Sequence, residues 1–262
     1  MIHNALAIAG SDPSGGAGIQ ADLKVFSAHK VYGMAAITAL TAQNTTGVSA
    51  IHTPPADFIT EQIRMVFADI RVDAVKVGMI ANSEIAEAVA ITLREVKAKN
   101  IVLDPVMIAK GGSPLLTKEA MGCMRDMLVP LADILTPNLP EAAALLGQSE
   151  AENREDMVSQ AEALLGLGAR NVYLKGGHFK SDESPDLMLT LKAEHWLESE
   201  RIDTKNTHGT GCSLSASIAA NKAGGASEVE AAHAAKGYIK NAISEAGRLQ
   251  VGQGHGPVYH FL

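Results

Sequence analysis

Ala5-Leu6-Ala7-Ile8-Ala9, then Gly10-Ser11-Asp12-Pro13-Ser14-Gly15-Gly16-Ala17-Gly18, then the stretch 19–28 and the apolar run 35–40 follow one another along the chain. A short apolar run, a glycine-rich turn, a helical stretch and a second apolar run make a strand–helix–strand unit with buried strands. The alternation continues. Residues 74–77, 101–103, 134–136 and 172–175 read as further buried parallel strands, and 58–70, 84–97, 118–128 and 157–167 as the helices between them. Ile59, Ile63, Phe67 and Ile70 share one helical stripe, with the spacing of a core-facing helix. Asp57, and Asn82 or Ser83, are the N-cap candidates. Beyond Gly177 the segments 187–191 and 195–202 predict an antiparallel hairpin at the sheet edge, and helices at 213–223 and 229–246 close the chain. The prediction is an α/β fold with a central, mostly parallel, doubly wound sheet and helices on both faces. No linker, repeat or low-complexity stretch divides residues 1–262, so one domain is expected.

Composition narrows the function classes. The chain has 47% hydrophobic residues, 24 glycines and 4% aromatics, the profile of a soluble enzyme rich in tight turns. A net charge of −7 without a Lys/Arg cluster speaks against nucleic acid. No apolar run approaches membrane-spanning length. No basic and apolar leader opens the chain, and Cys123 and Cys212 form no paired framework. A reducing cytoplasm is the expected compartment.

Ligands of doubly wound sheets bind beyond the carboxyl ends of the strands. The segments there are Gly10-Ser11-Asp12, Gln43-Asn44, Gly78-Met79, Asp104-Pro105-Val106, Pro137-Asn138 and Lys175-Gly176-Gly177-His178. Near the C-terminus, Asn206-Thr207-His208-Gly209-Thr210-Gly211-Cys212 runs into a small-residue helix. Two glycines flanking a threonine let backbone N–H groups point one way, and the helix start adds its positive end. That is an anion hole suited to phosphate. Cys212, in the first turn, is expected to favour thiolate. The alternative is an ordinary loop-to-helix connection with a buried Cys.

Gly16-Ala17-Gly18-Ile19-Gln20-Ala21 matches a dinucleotide fingerprint, but its glycines start several residues after the strand. No acid ends the second strand to hold a ribose, where Thr41-Ala42-Gln43-Asn44 stands instead. Walker-type, zinc-hydrolase and nucleophile-elbow motifs are absent as well.

Residues 9–24 (Ala-Gly-Ser-Asp-Pro-Ser-Gly-Gly-Ala-Gly-Ile-Gln-Ala-Asp-Leu-Lys) resemble the signature of bacterial hydroxymethylpyrimidine/phosphomethylpyrimidine kinases. Further matches fall at 38–45, 76–79, 103–107, 136–142, 175–178, 208–212 and 254–258, in the family's order over nearly the whole chain. The resemblance implies a ribokinase-like fold with a small flap. It implies ATP-dependent phosphorylation of 4-amino-5-hydroxymethyl-2-methylpyrimidine, then of its monophosphate, in thiamine diphosphate synthesis.

Under that resemblance the candidate residues take roles. Amides of Gly209, Thr210, Gly211 and Cys212 would hold the migrating phosphoryl oxygens. Cys212 would act as base where most of the superfamily has Asp. Lys175, after a buried strand, would pair with phosphate, or else is a surface lysine at a strand end. Asn138 and Thr207, with Lys175, Gly209 and Gly211, would bind ATP. Asn138 and Glu141 fit the superfamily's Asn-x-x-Glu element, with Glu141 holding Mg²⁺ through water; the alternative is a helix-start acid. Asp104 either joins the metal network or caps its strand. Gln43 matches an aminopyrimidine edge with one donor and one acceptor. Asp22 would bind the hydroxyl or amino group, unless it is a surface acid. Gly10 and Ala17 would give backbone contacts, and Met79 and Val106 apolar walls. Cys123, among Met121, Met124 and Met127, reads as core packing. Residues 107–116 read as a flap excluding water.

Pyridoxal kinase activity is the nearest alternative, on a similar hydroxymethyl acceptor. A nucleotide-binding module without turnover and an NAD-dependent oxidoreductase are the others. The expected partners are a small pyrimidine and ATP, with no nucleic acid and no membrane. A homodimer is expected from base rates alone, and a monovalent cation is left open.

Overall fold

The computed structural model describes residues 1–107, 116–177, 179 and 184–262. Among these residues nine strands form one sheet in the order β3-β2-β1-β4-β5-β6-β7-β8-β9. They are β1 (Asn4–Ser11), β2 (Tyr32–Asn44), β3 (Gly47–His52), β4 (Ala74–Val77), β5 (Ile101–Leu103), β6 (Ile134–Leu135), β7 (Val172–Leu174), β8 (Asp186–Leu189) and β9 (Glu194–Leu197). Pairing is parallel from β2 across to β7 and antiparallel for β2–β3, β7–β8 and β8–β9. The α/β doubly wound reading holds. The helices are α1 (Gly18–Ala28), α2 (Ala56–Asp69), α3 (Ser83–Glu95), α4 (Lys118–Cys123), α5 (Leu139–Leu146), α6 (Arg154–Gly166), α7 (Thr210–Ala223) and α8 (Glu228–Ser244).

Strand residues alternate between two cores, as the period of two requires. Leu6, Ile8, Val75, Val77, Ile101 and Leu103 face α2, α3, α5 and α6. Ala5, Ala7, Ala9, Ala74 and Val102 face α1, α7 and α8. On β1 the large side chains thus lie on one face and the small ones on the other, whereas Ile134, Tyr173 and Met188 fill the second face further along the sheet. Alanines on β1 meet Ala216, Ile218, Ala219 and Ala220 of α7, so α7 packs closely over the central strand.

One element escaped the sequence reading: β3 is a mostly exposed edge strand, so no buried periodicity marks it. The helix start read at Asn138 and Glu141 opens α5, a helix of eight residues. The helix at 118–128 becomes α4 followed by a π turn at Met124–Leu128. Pro55, not Asp57, caps α2, because Asp57 lies within its first turn. Asn82 caps α3, accepting from the Ile85 amide at 2.9 Å.

Asp186 joins β7, β8 and α8 below the open end of the sheet. Its carboxylate accepts from Tyr173 Oη at 2.8 Å, the Gly176 amide at 2.8 Å and Lys236 Nζ at 2.7 Å. The chain passes so close to β8 at Gly176 that a Cβ there would overlap the Pro185 carbonyl oxygen. Gly176→Ala should therefore destabilise the fold by about 1–3 kcal/mol. An unchanged urea midpoint would show that the segment has room to shift.

Candidate active site

The carboxyl ends of β1, β2, β4, β5 and β7, with the turns into α5 and α7, surround a cleft of about 640 Å³. It is lined by Gly10, Ala17, Gln43, Met79, Asp104, Val106, Asn138, Glu141, Lys175, Thr207, Gly209, Thr210, Gly211 and Cys212. Every candidate but one is therefore brought to a single cavity. Asp22 is the exception. It is fully buried on α1, against Lys76 at 2.9 Å, and is neither a cleft-lining group nor a surface acid.

Gly209 caps α7 with a left-handed φ of 77°, a backbone that only glycine adopts without strain. A Cβ there would overlap the Gly16 carbonyl oxygen. The same approach is fastened by Asp12. Its carboxylate accepts from the amides of Ser14 (2.9 Å), Gly16 (3.2 Å) and Ala17 (2.9 Å), from Ser14 Oγ (2.7 Å), and meets His208 Nε2 at 2.7 Å. Residues 254–258 complete the junction. The His255 amide reaches Thr45 O at 2.9 Å, and the His208 amide reaches Gly256 O at 3.0 Å. The amides of Gly209, Gly211 and Cys212 sit in the first turn of α7, which has no intrahelical acceptors. Thr210 differs: its amide and hydroxyl both turn back to Thr207 O, at 3.3 and 2.7 Å.

Opposite the cradle, Lys175 Nζ lies 3.0 Å from Asp104 Oδ1 and 3.7 Å from Glu141 Oε2. Lys175 is thus a paired, largely buried cation rather than a surface lysine. Asp104 also accepts from Ser215 Oγ at 3.3 Å. Glu141 and Asn138 form a reciprocal capping box, at 2.8 and 2.9 Å. Burial pushes Glu141 up to about 7, against the pull of Lys175. Glu141 is therefore a helix-start acid and a cleft carboxylate at once.

The expected thiolate at Cys212 needs correction. Burial pushes the thiol up to about 11; the Lys76 ammonium pulls it down, while Asp22 and Asp104 push it further up. Desolvation outweighs the helix dipole, so the thiol is protonated at neutral pH in the free cleft. Cys123 lies at the core edge, 3.7 Å from Met127 Sδ, with its pKa also raised by burial.

Lys76, Asp12 and His208 were given no role in the sequence reading. A lysine in a fully buried strand was the available signal, since such a charge demands a partner. α8 adds Lys236, Ile239, Lys240 and Ile243 to the cleft wall, which no motif marked. Residues 108–115 of the expected flap, and His178, lie outside the described residues.

Comparison with known proteins bears on this cleft. The sequence model of the family described as phosphomethylpyrimidine kinase matches residues 12–259. A hydroxymethylpyrimidine/phosphomethylpyrimidine kinase of Salmonella typhimurium is 49% identical over 258 residues, 98% of this chain and 97% of its own. A crystal structure of an ADP complex of Bacillus subtilis pyridoxal kinase superposes with TM-score 0.91 at 40% identity, covering 99% of this chain and 98% of that one. Phosphomethylpyrimidine kinase of Clostridium difficile superposes with TM-score 0.83 at 42% identity, covering 93% and 100%.

Burial alone would raise the Asp12 pKa, but bonds from His208 and Ser14 hold it down to about 2. A depressed carboxylate stabilises the fold above its ordinary 3.8, and that contribution is lost as pH falls toward about 2. Wild type should therefore lose stability between about pH 4 and 2 more steeply than Asp12→Asn. Parallel acid denaturation curves for the two would refute this.

Proposed function

Because the chain belongs to the phosphomethylpyrimidine kinase family, we propose that its cleft transfers the γ-phosphoryl group of ATP to hydroxymethylpyrimidine and its monophosphate, in thiamine diphosphate synthesis. The observation that carries this reading is one cavity holding both a Gln43–Met79–Val106 pocket and the Gly209–Cys212 helix start. An aromatic acceptor and a phosphate chain each find matched chemistry there, side by side.

Phosphoryl transfer demands placement and charge more than covalent help. Gly10, Ala17, Met79 and Val106 would shape the ring pocket, while Gln43 reads the ring edge. Amides of Gly209, Gly211 and Cys212 would hold the transferred oxygens, with Thr210 joining if its amide leaves Thr207. Lys175, poised between Asp104 and Glu141, would turn to phosphate as it enters. Asn138 and Thr207 would border the nucleotide. Asp22 would act from below, by keeping Lys76 charged.

The donor set suits Mg²⁺, which takes one or two carboxylates and keeps its waters and phosphate oxygens. Asp22 faces Lys76, and Asp104 and Glu141 face Lys175, so neither of these two lysines brings an unpaired charge to a triphosphate. Glu141, through water, and Asp104 are the residues that would hold the ion. When bound it would neutralise the charge gathering on the phosphates.

Because the thiol is protonated in the free cleft, Cys212 would first have to release that proton to solvent; the thiolate would then take the hydroxymethyl proton late, once bond formation to phosphorus has made that hydroxyl acidic. Lys76 would stabilise the thiolate. A pyridoxal kinase side activity is a second reading, favoured by the TM-score of 0.91 to the Bacillus subtilis enzyme. Adding ATP with each acceptor in turn and following ADP release separates the two. The proposal includes a cytoplasmic homodimer, supported by two unbridged cysteines and exposed Tyr32, Ile51, Phe58 and Met65.

Cys212→Ser should lower turnover by ~10²–10⁴ with both KM values little altered, and Cys212→Asp should recover part of it. Wild-type alkylation of Cys212 should accelerate as pH rises toward its raised pKa. A serine variant turning over at the wild-type rate would show that transfer needs no base at this position.

For Glu141, protonation near pH 7 should weaken metal binding. The Mg²⁺ needed for half-maximal rate should fall as pH rises through neutrality in wild type. In Glu141→Gln it should be higher and flat. Superimposable Mg²⁺ titrations would leave Glu141 only its capping role.

A further inference from the structure

Thr41 and Gln43 stand two residues apart on β2 and so point to the same face. The register shift between Ala42 and Gln43 leaves Ser49 of β3 as the extra residue, so β2 keeps its own alternation there. Thr41 Oγ1 is 2.8 Å from the Ser11 carbonyl oxygen and 3.2 Å from Gln43 Oε1. Thr41 and Ser11 are both buried.

A hydroxyl carries a single proton. The carbonyl of Ser11 can only accept, so the shorter contact takes that proton. Gln43 Oε1 facing Thr41 then sets two oxygens 3.2 Å apart with no proton left between them. The oxygen and nitrogen of an amide are told apart by their hydrogen-bond network, not by shape. The network here requires Gln43 Nε2 to donate to Thr41 Oγ1. Oε1 is then turned the other way, toward the cleft that Gln43 lines.

We propose that Thr41, held by the Ser11 carbonyl, is a positioning residue that locks the Gln43 amide with its oxygen toward the ring. It thereby makes the site selective for acceptors carrying a ring amino group. The amide oxygen accepts from that group, and the second Nε2 proton is left for an adjacent ring nitrogen. A ring with an oxo group at the same place presents oxygen to oxygen. The inference rests on the pyrimidine kinase reading and specifies which edge chemistry that site accepts.

The test compares kcat/KM for 4-amino-5-hydroxymethyl-2-methylpyrimidine and for its 4-oxo counterpart, with ATP, in three proteins. Wild type should prefer the amino compound by at least about tenfold, since the wrong edge leaves polar groups unpaired. In Thr41→Val the amide is free to turn over. The preference should shrink to within about threefold, through KM, with kcat on the amino compound little changed. Thr41→Ser restores the hydroxyl and should restore the preference. Equal use of both compounds by wild type overturns the proposal and leaves the kinase reading standing. So does a wild-type preference in folded Thr41→Val, or its loss in Thr41→Ser. The wild-type and serine measurements decide the matter even where the valine protein fails to fold. Wild type that phosphorylates neither compound refutes the kinase reading itself, and the inference with it.

Discussion

Asp12 and His208 are separated by 196 positions in sequence and by 2.7 Å in space. Asp12 organises the glycine loop after β1, and His208 immediately precedes the residue that caps α7. Their contact therefore joins the loop after β1 to the start of α7, two walls of the cleft. Gly16 and Gly209 can approach only because neither carries a side chain, and the segment 254–258 ties the β2–β3 turn to the same point. The alignment of a nucleophile with a phosphorus atom is set by distances between such walls. Both are built on loops, and the buried pair holds them in register.

Around this junction the cleft gathers charges that would be costly alone. Lys76 and Asp22 are fully buried, and Asp104 and Glu141 nearly so. Each cation has a carboxylate within 3.0 Å, which is the condition for keeping such groups ionised away from water. One atom, Asp22 Oδ1, has no hydrogen-bond partner. The cluster is thus held together by pairing and bordered by a thiol that burial keeps protonated.

Much of this was legible in the residues. Short apolar runs alternating with amphipathic stretches gave away the sheet, because its parallel strands are buried on both faces. Strand ends then named the cleft, since a doubly wound sheet opens its crevice there. The failures share a cause. β3 buries almost nothing, so it leaves no hydrophobic period. The depth of Asp22 depends on Lys76, 54 residues away, and helical spacing cannot report such a partner. For Cys212 the local signal was right in sign, but the surrounding acids and the loss of water outweigh one helix terminus. A reading confined to neighbours along the chain sees dipoles and turns. It does not see desolvation.

The seam of alanines between β1 and α7 sets a distance as well as a density. Ala5, Ala7 and Ala9 let a helix of small residues settle against the middle of the sheet, and that helix begins at the cleft. A methyl group added along the seam would lift α7 as a rigid rod and displace its first turn by a fraction of an ångström. The fold has a broad core on the opposite face to absorb such a change. In-line transfer has no comparable tolerance, and misplacement on the order of 1 Å can cost ~10² in rate. An alanine along this seam thus does more than fill the core, because it sets the height of the helix start that lines the cleft.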